Sequence, residues 1–156
     1  MKLTANFTLD ELTKSQTAER KGINNNPSPK QIENLKALAV NILQPIRSHY
    51  NEPLQISSGF RCAELCVAIG SKITSQHVAD ENAAAADFEI WGKDNKEVAT
   101  YIRDNLEFDQ LILEFYKEGE PNSGWIHCSY SSNQNRNQCL YASREDGKTK
   151  YTPWLS

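Results

Sequence analysis

The hydrophobic pattern of the first third of the chain predicts one long amphipathic helix. Ser28-Pro29-Lys30-Gln31 combines an N-cap serine, a proline at the first helical position and a glutamine at the third. Pro45 falls inside the helix, and we expect it to kink the axis. Apolar residues follow the start signal at three- and four-residue spacing, at Ile32, Leu35, Leu38, Ala39, Ile42, Leu43 and Ile46. This helix is the predicted scaffold against which a sheet packs.

Three shorter helices are predicted from local start and stop signals. The first follows the capping box Thr8-Leu9-Asp10-Glu11, runs towards Glu19 and ends before Gly22. The second covers residues 63–69 and stops at Gly70. The third starts at the capping sequence Asp94-Asn95-Lys96-Glu97 and presents an apolar stripe as far as residue 106.

The second half of the chain carries the period-2 alternation of strands. Residues 78–85 are polar and alanine-rich, and we expect them to form a loop. Strands are predicted at residues 54–58, 86–90, 108–116 and 125–130, with a closing hairpin that joins 139–141 to 148–151. Helices first and then strands with short connections predict an α+β fold, with a mainly antiparallel sheet packed with helices.

Size and charge narrow the possible partners. The chain has 156 residues, of which 38% are hydrophobic, enough for one domain over residues 1–156. A net charge of -3 argues against nucleic acid and anionic membrane surfaces as primary partners. The first residues lack a signal-peptide core and no apolar run has membrane-spanning length, so we expect synthesis in a cytosol and no membrane insertion. The four cysteines are expected to be reduced.

Three residues have the chemistry of a catalytic zinc site. His77 leaves a loop and Asp87 enters a strand, so an imidazole and a carboxylate are expected to meet at one sheet edge. His127 lies 50 residues further on, on the same strand face as Trp125. Taken alone, each residue has an ordinary structural explanation, such as a hydrogen-bonded polar side chain. Together they give the three protein ligands that leave a fourth position for water.

Glu114 is the predicted general base. Its strand immediately precedes that of His127, and antiparallel pairing would bring the Glu114 carboxylate close to the same metal. Asp109, at the start of the same strand, is the weaker alternative. An ordinary carboxylate on the open face of the sheet is the structural explanation for Glu114.

Five short motifs in this order resemble the M15 peptidases, the zinc D-Ala-D-Ala carboxypeptidases and murein endopeptidases. The resemblance runs from Phe7 to Leu155 and is nearest to the compact phage and prophage branch. The motifs are Ser58-Gly59-Phe60-Arg61, Ser75-Gln76-His77, Ala85-Ala86-Asp87-Phe88-Glu89, Phe108-Asp109-Gln110-Leu111-Ile112-Leu113-Glu114-Phe115 and Gly124-Trp125-Ile126-His127-Cys128-Ser129-Tyr130.

The resemblance implies a fold, a cofactor and a substrate. The fold is the hedgehog/D-Ala-D-Ala-peptidase type, and zinc is bound by His77, Asp87 and His127. Arg61 is implied to hold a peptide carboxylate of the substrate and Ser75 to hydrogen-bond it. The activity is hydrolysis of a peptide bond in the peptidoglycan stem by a monomeric enzyme, for phage or prophage lysis or wall penetration. The protein then acts at the cell wall or is carried on a phage particle.

Two departures from the family pattern leave alternatives open. Nine residues separate His77 from Asp87 where the family usually has six, and we expect about three extra residues to bulge from the loop. Asp80 is the fallback ligand. Gly124 stands where several relatives carry an acidic residue, three before the second histidine. If the alanine run 83–86 has damaged the site, the chain is instead a catalytically silent wall-binding or virion-structural module.

Overall fold

The computed structural model describes residues 1–80 and 82–154. Within this part of the chain the helices precede most of the sheet, as predicted. A π-helical turn, Ala39–Leu43, joins the third helix to the fourth, and a 3-10 turn, Gln76–Val78, follows the fifth. The helices are α1 (Leu9–Thr13), α2 (Gln16–Lys21), α3 (Pro29–Leu38), α4 (Gln44–Tyr50), α5 (Ala63–Ala68) and α6 (Asn95–Asn105).

In the part of the chain that the structure describes, six strands form one sheet in the order β1-β2-β4-β3-β5-β6. The pair β3 and β5 is parallel, and the other neighbouring pairs are antiparallel. The prediction of a mainly antiparallel α+β fold is therefore confirmed, including the closing hairpin of β5 and β6. The strands are β1 (Gln55–Ser58), β2 (Ala83–Glu89), β3 (Gln110–Glu114), β4 (Trp125–Ser131), β5 (Gln138–Glu145) and β6 (Lys148–Pro153).

The helices cover one face of the sheet and leave the other face open. Helices α3 and α6 pack against the central strands, where Leu111, Leu113 and Ile126 are fully buried. The residues that alternate with these along the strands, such as Ile112 and His127, line a cleft on the open face. No helix in the described residues is long and apolar enough to span a membrane. The four cysteines are free thiols, as expected.

The single N-terminal helix predicted to run towards Glu19 is wrong, because the chain forms two helices there. Lys14 adopts an extended conformation after α1, and the Ser15 hydroxyl then accepts the backbone N–H of Ala18. Ser15 is thus the N-cap of a new helix, a role that competes with its place in a helix interior. The predicted stop is confirmed, because Gly22 caps α2 in the left-handed conformation.

The disturbance expected at Pro45 takes the form of a π-helical turn. Proline has no N–H to donate, and its ring clashes with the carbonyl four residues earlier in an α-helix. The wider turn at Ala39–Leu43 comes directly before α4, and the N–H of Gln44 bonds to the carbonyl of Ala39. The helical path continues through Pro45 because this turn accommodates the ring.

The alanine run is a strand rather than the predicted loop. Ala83 to Ala86 are all buried and pair in register with Ser131 to Cys128 of β4. Ala84 and Ala86 belong to the core against which α3 packs, whereas Ala83 lines the cleft on the other face. Alanine is less frequent in strands than most apolar residues, but its small side chain lets the helix approach the sheet closely. Asp87 therefore lies within an uninterrupted strand.

Candidate active site

Backbone pairing brings Asp87 and His127 side by side. Asp87 in β2 stands opposite His127 in β4, and Ser58 of β1 lies on its other side. Both side chains point to the cleft, because Phe88 and Ile126, their neighbours in sequence, point into the core. The alternation read from the sequence is confirmed for these two strands.

His77 is held by the loop that follows β1. Its Nδ1–H donates to the carbonyl of Gly59 at 2.7 Å, and its own carbonyl accepts the N–H of Arg61 at 2.8 Å. Gly59 in turn has no room for a side chain, because a Cβ there would collide with the carbonyl oxygen of Leu12. With Nδ1 donating to a carbonyl, the neutral ring presents the lone pair of Nε2, which is the arrangement found in metal-bound histidines.

The Asp87 carboxylate stands between the two imidazoles. Its Oδ1 lies 2.9 Å from Nδ1 of His127 and 3.4 Å from Nε2 of His77. Burial alone would raise the pKa of Asp87, but the hydrogen bond from His127 and the nearby imidazole of His77 hold it well below its usual range. Burial lowers the pKa of His77, which favours the neutral ring. The Nε2 lone pair of a neutral His77 then faces the negatively charged Oδ1 of Asp87, and the two repel each other. A cation between these atoms removes the repulsion.

These three residues fit a metal ion. Their ligand atoms all lie within 4.8 Å of one another. Tetrahedral zinc with ligand distances of about 2.0–2.1 Å separates neighbouring ligand atoms by about 3.3 Å, close to the contacts around Asp87. Two nitrogen ligands and one carboxylate are also a donor set that zinc accepts in catalytic sites. The grouping predicted from the sequence is present.

Glu114 lies beside this cluster on the same face of the sheet. It stands opposite Trp125 of β4, whose indole N–H donates to its Oε2 at 2.6 Å. Burial, followed by the negative charge of Asp87, raises the pKa of Glu114 above its usual value of 4.5. The antiparallel pairing of β3 with β4, on which the prediction of a base relied, is confirmed.

Gly124 occupies a position that excludes an acidic side chain. Its φ is +64°, and a Cβ there would collide with the backbone carbonyl of Glu114. The loop before β4 thus packs directly on the end of β3. An acidic residue three before His127 has no space in this chain, whereas Glu114 faces the cleft.

The two alternative carboxylates are engaged elsewhere. Asp80 lines the cleft and accepts a hydrogen bond from Gln31, but it does not belong to the three-residue cluster. Asp109 is buried and accepts two hydrogen bonds from the guanidinium of Arg136, at 3.0 and 2.8 Å. That hydrogen bonding lowers the pKa of Asp109. An acid neutralised by its own arginine is poorly suited to act as a base.

Arg61 and Ser75 both line the cleft. The Nη2 of Arg61 lies 4.0 Å from Oδ2 of Asp87, and its Nε is buried without a hydrogen-bond partner in residues 1–80 and 82–154. The Ser75 hydroxyl accepts the N–H of His77 at 3.2 Å and so begins the 3-10 turn. Its own hydrogen remains available to donate.

Sequence reasoning missed the far wall of the cleft, which comes from the last part of the chain. The cleft has a volume of about 1070 Å³. Tyr151 of β6 reaches it through a cross-strand row, since Glu114 stands opposite Ala142 and Ala142 opposite Tyr151. No local motif marks these residues, and only the parallel pairing of β3 with β5 brings them to the site. They are Arg136, Gln138, Leu140 and Tyr151.

Comparison with protein families agrees with this geometry. The model of the family described as peptidase M15 matches residues 5–129, which include all three residues of the cluster and Glu114. The β5–β6 hairpin lies beyond the match. No curated protein matches the chain at a significant level. The chain, with its mainly antiparallel α+β fold and its cluster able to bind a metal, belongs to the peptidase M15 family.

Proposed function

We propose that the protein is a zinc-dependent peptidase that hydrolyses a peptide bond in the peptidoglycan stem peptide, as a D-Ala-D-Ala carboxypeptidase or as an L-Ala-D-Glu or cross-link endopeptidase. The observation that carries the proposal is the buried Asp87 carboxylate between His127 and His77. M15 peptidases are metal-dependent, and this arrangement is complete only with a cation.

Three side chains would hold the metal. They are His77, Asp87 and His127, with the His77 ring fixed by the carbonyl of Gly59. When bound, zinc supplies a Lewis acid that polarises a carbonyl group and lowers the pKa of a coordinated water.

Glu114 would accept the proton of the attacking water and pass it to the leaving amine. Its raised pKa suits this task, since a base works best when its pKa approaches the working pH. The indole N–H of Trp125 holds one carboxylate oxygen and fixes the orientation of the other. Arg61 would bind a carboxylate of the substrate, and the Ser75 hydroxyl would donate to its backbone.

The biological setting we propose is phage or prophage lysis, or penetration of the wall by a monomeric single-domain enzyme. It is supported by the resemblance of five motifs to the compact phage branch. The uninterrupted β2 strand weighs against the alternative of a silent wall-binding module, because the alanine run leaves Asp87 opposite His127.

Mass spectrometry of purified muropeptides tests this function. The zinc-loaded protein should yield fragments that differ from the substrate by one hydrolysed amide, and the masses identify the bond. A chelated sample and the Glu114→Gln variant serve as matched controls and should leave the muropeptides intact. Intact muropeptides with the zinc-loaded wild type would contradict the proposal and favour the silent module.

A further inference from the structure

The far end of the cleft holds a second polar cluster, built around Arg136. Its Nε and Nη2 donate to Oδ1 and Oδ2 of Asp109 at 3.0 and 2.8 Å, and its backbone N–H donates to Oδ1 at 3.1 Å. Gln76, the residue before His77, donates to Oδ2 of the same carboxylate at 2.6 Å. Asp109 therefore fixes the direction in which the Arg136 guanidinium points.

This arrangement leaves Arg136 able to bind a second anion. A guanidinium carries five N–H donors in a planar fork, and the bonds to Asp109 use the edge formed by Nε and Nη2. The edge formed by Nη1 and Nη2 is the other one that can engage a carboxylate with two parallel hydrogen bonds. The Arg136 side chain is 55% exposed and lines the cleft, whereas that of Asp109 is 6% exposed.

Sheet geometry gives the distance between this cluster and the reaction centre. His127 pairs with Ile112 and Ile112 with Leu140, so β5 lies two strands away. Leu140 lies two strand spacings from His127, and Gln138 lies two residues before Leu140 along β5. The backbones of Gln138 and His127 are therefore about 12 Å apart. Arg136 lies two residues before Gln138 at the same end of the cleft. An extended peptide covers that span with about three or four residues.

The cleft surface between the two clusters suits an extended peptide. Ile112 and Leu140 form an apolar strip in register. Gln110 and Gln138 lie beside the strip, and the side-chain Nε2–H of Gln110 donates to Oε1 of Gln138 at 2.8 Å. The cleft, at about 1070 Å³, is slightly larger than the usual range for small-molecule sites, about 300–1,000 Å³.

We propose that Arg136 is a specificity-determining residue that binds a free carboxylate of the substrate about three residues from the scissile bond. The inference rests on the proposed function and deepens it, because it makes the substrate an extended acidic peptide. Asp109 is a positioning residue that holds Arg136. Arg136 is separate from Arg61, which lies next to Asp87 at the other end of the cleft.

The test uses a set of stem peptides in which each free carboxylate in turn is replaced by a carboxamide. For one position, wild-type protein should cut the acid about tenfold to a hundredfold faster than the amide in kcat/KM, the range expected for a charged hydrogen bond. Arg136→Gln should bring this ratio close to one, and Arg136→Lys should restore part of it. Arg144→Gln is the matched control, because Arg144 is an exposed arginine of β5 outside the cleft.

Calorimetric titration of the same peptides into metal-free protein gives a second readout that needs no turnover. The acid should bind more tightly than the amide to wild type, and equally to Arg136→Gln. If Arg136→Gln lowers stability but leaves the acid-to-amide ratios of kcat/KM and of affinity unchanged, Arg136 is structural only and the inference is overturned. If wild type cuts no peptide but discriminates acid from amide through Arg136, the proposed function fails and the binding role stands.

Discussion

Two buried carboxylates have different partners: Asp87 lines the cleft, and Asp109 holds Gln76 and Arg136, which line it. The pKa of each is lowered by hydrogen bonds. Asp109 receives its bonds chiefly from Arg136, a guanidinium of this chain that cancels its charge. Asp87 lies between two imidazoles, and the guanidinium nearest to it, that of Arg61, is 4.0 Å away.

The difference shows why a lowered pKa alone does not mark a reaction centre. A buried carboxylate paired with an arginine has its charge compensated within the chain, so removal of either partner destabilises the fold. The carboxylate of Asp87 is next to His77, and burial opposes the protonation of that histidine. No positive charge on His77 therefore compensates the buried carboxylate. The partners of each acid, rather than its titration, distinguish the predicted metal centre around Asp87 from the ion pair of Asp109 with Arg136.

The largest expected effect is on turnover at the Asp87 end of the cleft. Glu114→Gln removes the proton acceptor while keeping the shape of the side chain, so kcat should fall about 10²- to 10⁴-fold with zinc still bound. Steady-state kinetics and metal analysis measure both quantities. Glu145→Gln is the control, since Glu145 is exposed on β5 and should tolerate the same change. Retained turnover in Glu114→Gln would move the base to another residue.

The second expected effect is on stability at the Asp109 end. Asp109→Asn leaves Arg136 and Gln76 without their acceptor charge, and we expect a loss of about 1–3 kcal/mol in the free energy of unfolding. Urea denaturation with and without zinc measures it. The added stability that zinc gives should persist in Asp109→Asn and vanish in Asp87→Asn. Loss of the zinc effect in Asp109→Asn would contradict the comparison.

The smallest expected effect is on the pH dependence of stability. The pKa of Asp109 is lower in the folded chain than its ordinary value of 3.8, so the unfolded chain binds more protons as the pH falls. The contribution of Asp109 is therefore complete well above pH 3.8 and is lost as the pH falls towards the lowered pKa. The stability difference between wild type and Asp109→Asn should shrink over that range. A difference independent of pH would argue that Asp109 is not ionised.

Local signals predicted much of the fold and the candidate site. The cap at Ser28 and the apolar stripe after it define α3. The alternation of β3 and β4 placed Glu114 and His127 on one face, and the ligand atoms of His77, Asp87 and His127 lie close enough together to hold a metal ion. These features depend on residues close in sequence, or on strands joined by a short connection, where periodicity determines which side chains share a face.

Features that depend on tertiary packing could not be read from the sequence. Alanine favours helices, and it is pairing with β4 and the burial of Ala84 and Ala86 in the core against α3 that explain the strand at Ala83 to Ala86. The parallel pairing of β3 with β5 joins segments that are distant in the chain, and together with the β5–β6 hairpin it brings Arg136 and Tyr151 to the cleft. The break at Ser15 follows from a side-chain cap that competes with helix continuation.

Native mass spectrometry of the zinc-titrated protein tests the central claim most directly. Wild type should bind one zinc ion per chain, and His127→Ala should bind none under the same conditions, because it removes one of three ligands. His49→Ala is the matched control, since His49 stacks on Tyr101 away from the cleft and should leave zinc binding intact. Wild-type protein that takes up no zinc, or a His127→Ala variant that binds as wild type does, would contradict the account.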